Sequence, residues 1–526
     1  MKKNCCLLFF NLLIYSLASS QCTPTLFKDG INSFGRAEVN NTLLLFTYEG
    51  VWKSDGTPNG TQLINGSPRI NNGAFGFATL NNVVYFSAYS PSYNVSDLWK
   101  TDGTEAGTVL VVSIPDAIKI YDFAVAQNKL FFVVEKGFGN NKIWTSDGTA
   151  AGTSQLIDLD PTNDINTVPK QLISFNDHVY FWAGSNYFQH YYKTDGTAAG
   201  TIILNDIGDE YGYNIGGLST VSNGKLFYFT GSNSDNTGLW STDGTIAGTQ
   251  LVKPLSDAGD FLDVNGTLYF SATDEGGLTG QTLYGDEPWI SDGTTQGTTI
   301  IKDINPGYIS SCYTSRFIQA GNKVYFGATD GIHGTEVWQT DGTEAGTGLL
   351  KDIYTGTNSG ATNFGNAINY NGYLYFGARD EIHGQELWKT DGTSIGTELV
   401  ADLYPGTEDS GPYDFFIFKG MLFFETYGNF EKKLWYCGDA SSSIQEEKGP
   451  KLGLFPNPTT GIIQLNSEKE LNGSITVYNA SGIKVKTFSG NKLEKATLDF
   501  SSFPKGLYCV QVNTETIEKQ IKFILE

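Results

Sequence analysis

Eight times in this chain an aromatic residue is followed three positions on by Asp-Gly-Thr, and shortly afterwards by Gly-Thr. The first copy reads Trp52-Lys53-Ser54-Asp55-Gly56-Thr57-Pro58-Asn59-Gly60-Thr61. The others begin at Trp99, Trp144, Tyr192, Trp240, Trp289, Trp338 and Trp388, with aspartates Asp102, Asp147, Asp195, Asp243, Asp292, Asp341 and Asp391. Successive copies start 45 to 50 residues apart. A period of that length means one supersecondary unit stacked on copies of itself, as in a propeller or a solenoid.

Between one turn and the next, three further signals recur in order. A short apolar run comes first, as in Leu399-Val400-Ala401-Asp402-Leu403. A second run then reaches a turn, often Asn-Gly, as at Asn223-Gly224, Asn265-Gly266 and Asn371-Gly372. Asn-Gly between apolar runs is a strong hairpin signal, because both residues tolerate positive φ. A dense strand follows, such as Leu374-Tyr375-Phe376, and then the strand that carries the tryptophan. The dense strands do not alternate apolar and polar, so both of their faces must be covered. Blades sandwiched between other blades demand that. The expectation is an all-β chain: a large β-propeller of eight or nine four-stranded blades over residues 21–437. Counted from Leu26 to Trp435 there are nine units, the ninth keeping its tryptophan but losing the turn.

The repeated loop has an explanation that needs no ligand. Asp bonds nearby backbone N–H groups, Gly takes positive φ, and the Thr hydroxyl satisfies another turn group. Here the tryptophan is expected to bury its ring between blades. The run Glu386-Leu387-Trp388-Lys389-Thr390-Asp391-Gly392-Thr393 resembles the ELWxxDGT repeat family of exported bacterial proteins, a resemblance that covers about residues 24–437. Tyr192 and Pro288 depart from its pattern. The resemblance implies no established activity.

The two ends carry different signals. Lys2 and Lys3, then an apolar run from Cys5 to Ala18, then Ala18-Ser19-Ser20, read as a signal peptide over residues 1–20. No later stretch approaches the roughly 20 apolar residues of a spanning helix. Residues 438–450 are polar and read as a linker. Residues 451–526 show short alternating strands and are expected to form a small β-sandwich of some seven strands. Within them Leu454-Phe455-Pro456-Asn457-Pro458-Thr459-Thr460-Gly461, Leu498-Asp499-Phe500-Ser501 and Gly506-Leu507-Tyr508 resemble the type A C-terminal sorting domain of type IX (Por) secretion. The terminal Glu526 departs from the basic residues that often end such domains. That resemblance implies handling by the type IX machinery, passage across inner and outer membranes, and a final place at the outer cell surface or outside the cell.

The formal net charge of −22 works against nucleic acid or an anionic membrane as partner. No nucleophile elbow, phosphate loop or zinc helix is present. The functional expectation is therefore a non-enzymatic, exported binding or adhesion module whose ligand is a polysaccharide or another surface partner. A carbohydrate-active hydrolase or an oxidoreductase built on the propeller is the alternative. Two site expectations follow. Cys22 and Cys437 flank the repeat, and closing the ring would let them form a disulfide, whereas Cys509 reads as a small core residue. The hairpins around Asp274, Asp330–Glu336 and Asp380–Glu386 form an acidic arc on adjacent units. Its plain reading is a solvated rim whose acids cap their own turns, and its sharper reading is a calcium site drawing on Asp274, Asp330, Glu336, Asp380 and Glu386. No other cofactor is implied.

Overall fold

In the computed structural model the described residues are 22–526, except 71–75, 90–95, 138–140, 160–167, 185–187, 209–218, 231–236, 275–283, 308, 313–315, 362–363, 429–430, 439–451, 456–460, 468–472, 480–483, 491–496, 515–517 and 526. The signal segment and most of the linker fall outside them. The chain divides into two compact units that part at Ala440 and Ser441.

The first unit is a propeller of nine four-stranded antiparallel blades, as the repeat implies. Blade 7 is typical: Ile318–Ala320, Lys323–Ala328, Glu336–Thr340 and Gly348–Lys351, hydrogen-bonded in that order. First strands of neighbouring blades lie against one another, so they line the axis. The second strands are buried on both faces, as Val324 to Ala328 show. The tight turns between first and second strands take positive φ at both corners, for example 50° at Asn371 and 82° at Gly372. That is the geometry Asn-Gly supplies without strain.

Blade 9 differs from the rest. Its strands Tyr413–Phe418, Met421–Gly428 and Glu431–Cys437 are completed by the N-terminal strand Thr25–Asp29, which pairs antiparallel with Glu431–Cys437. Counting units from Leu26 therefore misplaces the first strand: it closes the last blade instead of opening the first. Blade 1 begins at Ser33–Val39. The missing Asp-Gly-Thr turn in the ninth copy has its reason here. The outermost strand arrives from the other end of the chain, so no turn is needed to reach it. Cys22 and Cys437 are disulfide-bonded at this seam, with Cα atoms 4.9 Å apart and a sequence separation of 415.

Apolar clusters sit between blades, one at each of the nine junctions. Leu43, Leu45, Phe416, Phe418 and Phe423 fill the junction of blades 9 and 1. Leu44, Phe46, Val84 and Phe86 fill the next. No blade has a core of its own, so the ring folds by burying each sheet on its neighbours. Each repeat tryptophan packs toward the preceding blade, and at three of them a lysine of that blade lies over the ring: Lys28 over Trp52, Lys253 over Trp289 and Lys351 over Trp388. The same lysines donate to Thr61, Thr298 and Thr397 carbonyl oxygens of the following blade.

In the second unit Leu452–Phe455, Ile462–Ser467 and Thr497–Asp499 form one sheet. Lys484–Gly490, Gly473–Asn479, Gly506–Thr514 and Glu518–Leu525 form the other. Ile463, Leu465 and Leu498 from the first sheet meet Ile475, Val477, Tyr508 and Val510 from the second. This is a seven-stranded sandwich among the described residues.

Candidate functional face

Antiparallel order sorts every connection onto one of two faces. The first-to-second and third-to-fourth turns fall on one side, the turn face. The second-to-third hairpins and the links between blades fall on the other, the loop face. All eight Asp-Gly-Thr loops therefore lie on the turn face, and each closes on itself. In blade 8, Asp391 Oδ1 accepts from Thr393 N and Oγ1 at 2.9 and 2.7 Å, and Gly396 N donates to Thr393 Oγ1. Thr390 Oγ1 meets Thr397 Oγ1 at 2.7 Å and accepts from Gly392 N at 3.0 Å. The bonds of Asp102, Asp147, Asp195, Asp243, Asp292 and Asp341 repeat this pattern, and those of Asp55 do so in blade 1. The Thr393 hydrogen bond, against some burial, holds the Asp391 carboxyl below its ordinary value. One partner was missed by sequence reasoning: the Ser or Thr just before each Asp, from Ser54 to Thr390. Its signal was present, since every one of the eight copies has a hydroxyl there.

The turn also docks across blades. Gly392 has φ +90°, and a Cβ there would lie 2.5 Å from Tyr325 Oη of blade 7. Gly342 stands in the same relation to Tyr269 of blade 6. Glycine is required by conformation and by that close approach together. The ring positions of the repeat are less uniform: Trp289, Trp338 and Trp388 are buried, whereas Trp52, Trp99, Trp144, Tyr192 and Trp240 are half-buried.

The loop face is built differently in each sector. In blades 6 to 8 a glutamate two residues before the tryptophan holds the link to the next blade. Glu336 accepts from Ile353 N at 3.1 Å, Tyr354 N at 3.3 Å and Gly360 N at 2.7 Å. Glu386 accepts from Leu403 N, Ser410 N and Ser410 Oγ, and Glu287 from Ile304 N and Ser311 Oγ. All three are 0% exposed. Burial pushes each carboxyl up to about 7, and the N–H and O–H donors oppose that rise. Asp330 and Asp380 cap their own hairpins. Asp330 accepts from Ile332 N, His333 N and His333 Nδ1, and Asp380 does the same with Ile382 and His383. Burial works against both aspartates, but these donors hold them below the usual range, and the aspartates in turn raise His333 and His383.

The five acids of the expected calcium set are thus not brought together. Glu336 and Glu386 point inward to backbone N–H groups, Asp330 and Asp380 close their turns, and Asp274 ends the strand Thr267–Asp274, whose hairpin at 275–283 lies outside the described residues. Among the described residues no three His, Cys, Asp or Glu side chains group as a metal site would require. The chain has four arginines, three of them toward the loop face and Arg36 between the first strands of blades 1 and 9. Arg69 and Arg316 lie in links between blades, Arg379 near the loop-face end of its strand pairs with Asp409, and Arg36 in the first strand of blade 1 pairs with Asp414 of blade 9.

In the sandwich, Gly461 has φ +149°, and a Cβ there would lie 2.6 Å from Ser501 Oγ. Its carbonyl accepts from Phe500 N at 2.7 Å, and Tyr508 Oη donates to Pro504 O at 2.6 Å. Gly506 opens the strand Gly506–Thr514. Pro456, Asn457 and Pro458 lie outside the described residues, as does the side chain of Cys509. Residues 453–526 match the secretion system C-terminal sorting domain. Such a domain implies type IX handling and export to the cell surface or beyond.

No curated protein matches the chain. Among solved structures, a mutant puromycin hydrolase complexed with PGG has a TM-score of 0.34 at 12% identity, covering 67% of this chain and 57% of its own. A Mycobacterium tuberculosis puromycin-hydrolyzing peptidase gives 0.35 at 11%, covering 68% and 59%. A nidogen/laminin complex gives 0.27 at 13%, covering 44% and 88%. The chain spans less than two thirds of the length of the puromycin hydrolase and of the peptidase. Likenesses this distant carry no argument about activity. No helix of the described residues is long and apolar enough to cross a membrane.

Proposed function

We propose that this protein is a non-enzymatic binding or adhesion module of the ELWxxDGT-repeat kind, delivered by type IX secretion to the cell surface or the surrounding medium. The observation that carries the reading is the sorting domain at residues 453–526, joined to a ring whose two faces differ in kind. The turn face is the same in eight copies and satisfies its own polar groups. The loop face changes from sector to sector, and rigid scaffolds present binding groups on such loops. A surface glycan is the ligand class that suits an exported, acidic protein without basic patches.

Truncation after Pro450 tests delivery. The truncated chain is expected to accumulate in the periplasm while the full chain reaches the surface or medium; normal release of the truncated chain contradicts type IX delivery. Activity is tested by incubating the purified protein with chromogenic glycosides, esters and peptides. Turnover of any of them above a heat-treated control replaces the binding reading with an enzymatic one.

A further inference from the structure

One residue type recurs at one register position on the loop face of three consecutive blades. In blade 9 Phe424 lies opposite Trp435, in blade 1 Leu45 opposite Trp52, and in blade 2 Phe86 opposite Trp99. Three residues on from each stand Tyr427 and Tyr89, at the loop-face end of their second strands, and Tyr48, the first residue of the hairpin turn that follows Thr42–Thr47. The same position holds Glu135, Gly184, Thr273, Thr329 and Arg379 in blades 3, 4, 6, 7 and 8, so the strand does not require an aromatic there. Leu45 packs into the junction with blade 9. An odd step along a strand reverses the face, so Tyr427 and Tyr89 lean toward the following blade, and Tyr48, in its turn, meets Arg69 and Ile70 of the link to blade 2. Tyr48 is 56% exposed and Tyr427 is 53% exposed, while Tyr89 is half-buried.

Polar partners stand beside the rings. The Arg69 guanidinium lies 5.9 Å from the Tyr48 ring centre. The segment that carries it is fixed between two of the tyrosines: Ile70 N donates to Tyr48 O at 3.3 Å, and Tyr89 N donates to Arg69 O at 2.9 Å. Lys432 pairs opposite Tyr427 on the adjoining strand, and its ammonium lies 5.6 Å from the ring centre of Tyr413. Flat aromatic faces with a cation or hydroxyl at the edge match a sugar ring, whose C–H face stacks while its hydroxyls hydrogen-bond at the rim. Repetition at the pitch of the blades suits a polymer of rings. An aliphatic peptide finds charged neighbours here, Glu49 and Glu431 among them. An acidic polymer meets a protein of net charge −22 in which Arg36 and Arg379 are already paired.

We propose that Tyr427, Tyr48 and Tyr89 form a stacking platform for a neutral polysaccharide on the loop face across blades 9, 1 and 2. The platform rests on the binding reading above and assigns it a ligand class and a place. Affinity electrophoresis of the full chain in gels holding β-glucan, xyloglucan or xylan tests it, with polygalacturonate as the acidic arm and Asp102→Ala as a turn-face control. At least one neutral polymer is expected to retard the protein. Tyr48→Ala with Tyr427→Ala is expected to weaken that retardation by about tenfold or more, as loss of exposed anchors does, at an unchanged melting temperature. Single Tyr→Phe changes should keep most of the retardation. Retardation by polygalacturonate alone overturns the neutral class. Neutral retardation that the double alanine variant retains overturns the platform and leaves the binding reading standing. No retardation by any polymer overturns the platform and removes the glycan from the binding reading as well.

Discussion

The two faces of the ring are made by the same strands and yet obey different rules. On the turn face eight loops repeat one hydrogen-bond set, in which Asp, Thr and Ser or Thr satisfy each other and a glycine admits the neighbouring blade. On the loop face, blades 6 to 8 use a buried glutamate to hold the link to the next blade, and blades 9 and 1 expose a tyrosine where blade 2 holds the half-buried Tyr89. On the proposed reading, repetition marks architecture and departure from repetition marks the surface that would serve recognition. A periodic motif is not evidence of a periodic binding site.

Both faces depend on the closed ring, so opening the seam should have the largest effect. Cys22→Ser with Cys437→Ser is expected to lower stability by about 3 to 5 kcal/mol, given a loop of 415 residues. Thermal melts with and without reductant check it, and the variant should show no further response to reductant. A loop-face latch comes next. Glu336→Ala leaves three backbone N–H groups without their acceptor, for an expected loss of about 3 kcal/mol in a denaturant melt. If the loss is under about 0.5 kcal/mol, the glutamate is not what holds the link. Asp102→Ala removes a single turn cap and should cost about 1 kcal/mol, with binding intact.

The smallest effect is one of pH, and it separates the buried glutamates of the loop face from the turn-face aspartates by sign. Glu287, Glu336 and Glu386 are raised by burial from 4.5 to about 7, so between those values the folded protein holds protons that the unfolded chain has released. Stability contributed by the protonated glutamates is therefore present at the acid end and lost as pH rises toward 7. His333 and His383, raised by their aspartates, act in the same direction. The turn-face aspartates are depressed, so their contribution is lost only when pH falls through their folded values, below 3.8. Melting temperature is expected to decline from about pH 5 to pH 8, and Glu336→Gln with Glu386→Gln should flatten the slope. A slope unchanged in the double variant removes the glutamates as its source.

Much of this was legible in the sequence. The period, the Asn-Gly turns and the two-sided strands such as Tyr373-Leu374-Tyr375-Phe376 specify a four-stranded blade, and the count of nine units matches the nine blades. The grouping of strands into blades was not legible, because the repeat reads the same from any starting strand. Only the pairing of Thr25–Asp29 with Glu431–Cys437 decides where a blade begins. In the acidic arc Asp330 and Asp380 cap their own turns as the plain reading has it, but Glu336 and Glu386 are buried, for a reason that strand parity could have supplied. Glu386 is two residues before Trp388, so both side chains fall on one face of the strand, and a buried tryptophan implies a buried glutamate. The tyrosine position escaped notice because it appears only when blades are aligned on the partner of each tryptophan, across a seam that separates Tyr48 from Tyr427 by most of the chain.

The division of labour between the faces is tested most directly by one comparison. Binding of the full chain to the best-retained neutral polysaccharide is measured beside two double variants, Tyr48→Ala with Tyr427→Ala and Asp102→Ala with Asp341→Ala, each with its melting temperature. The account predicts that the first loses binding and keeps its melting temperature, while the second keeps binding and melts lower. Binding lost from the aspartate variant at an unchanged melting temperature would place recognition on the repeated turns and contradict the account.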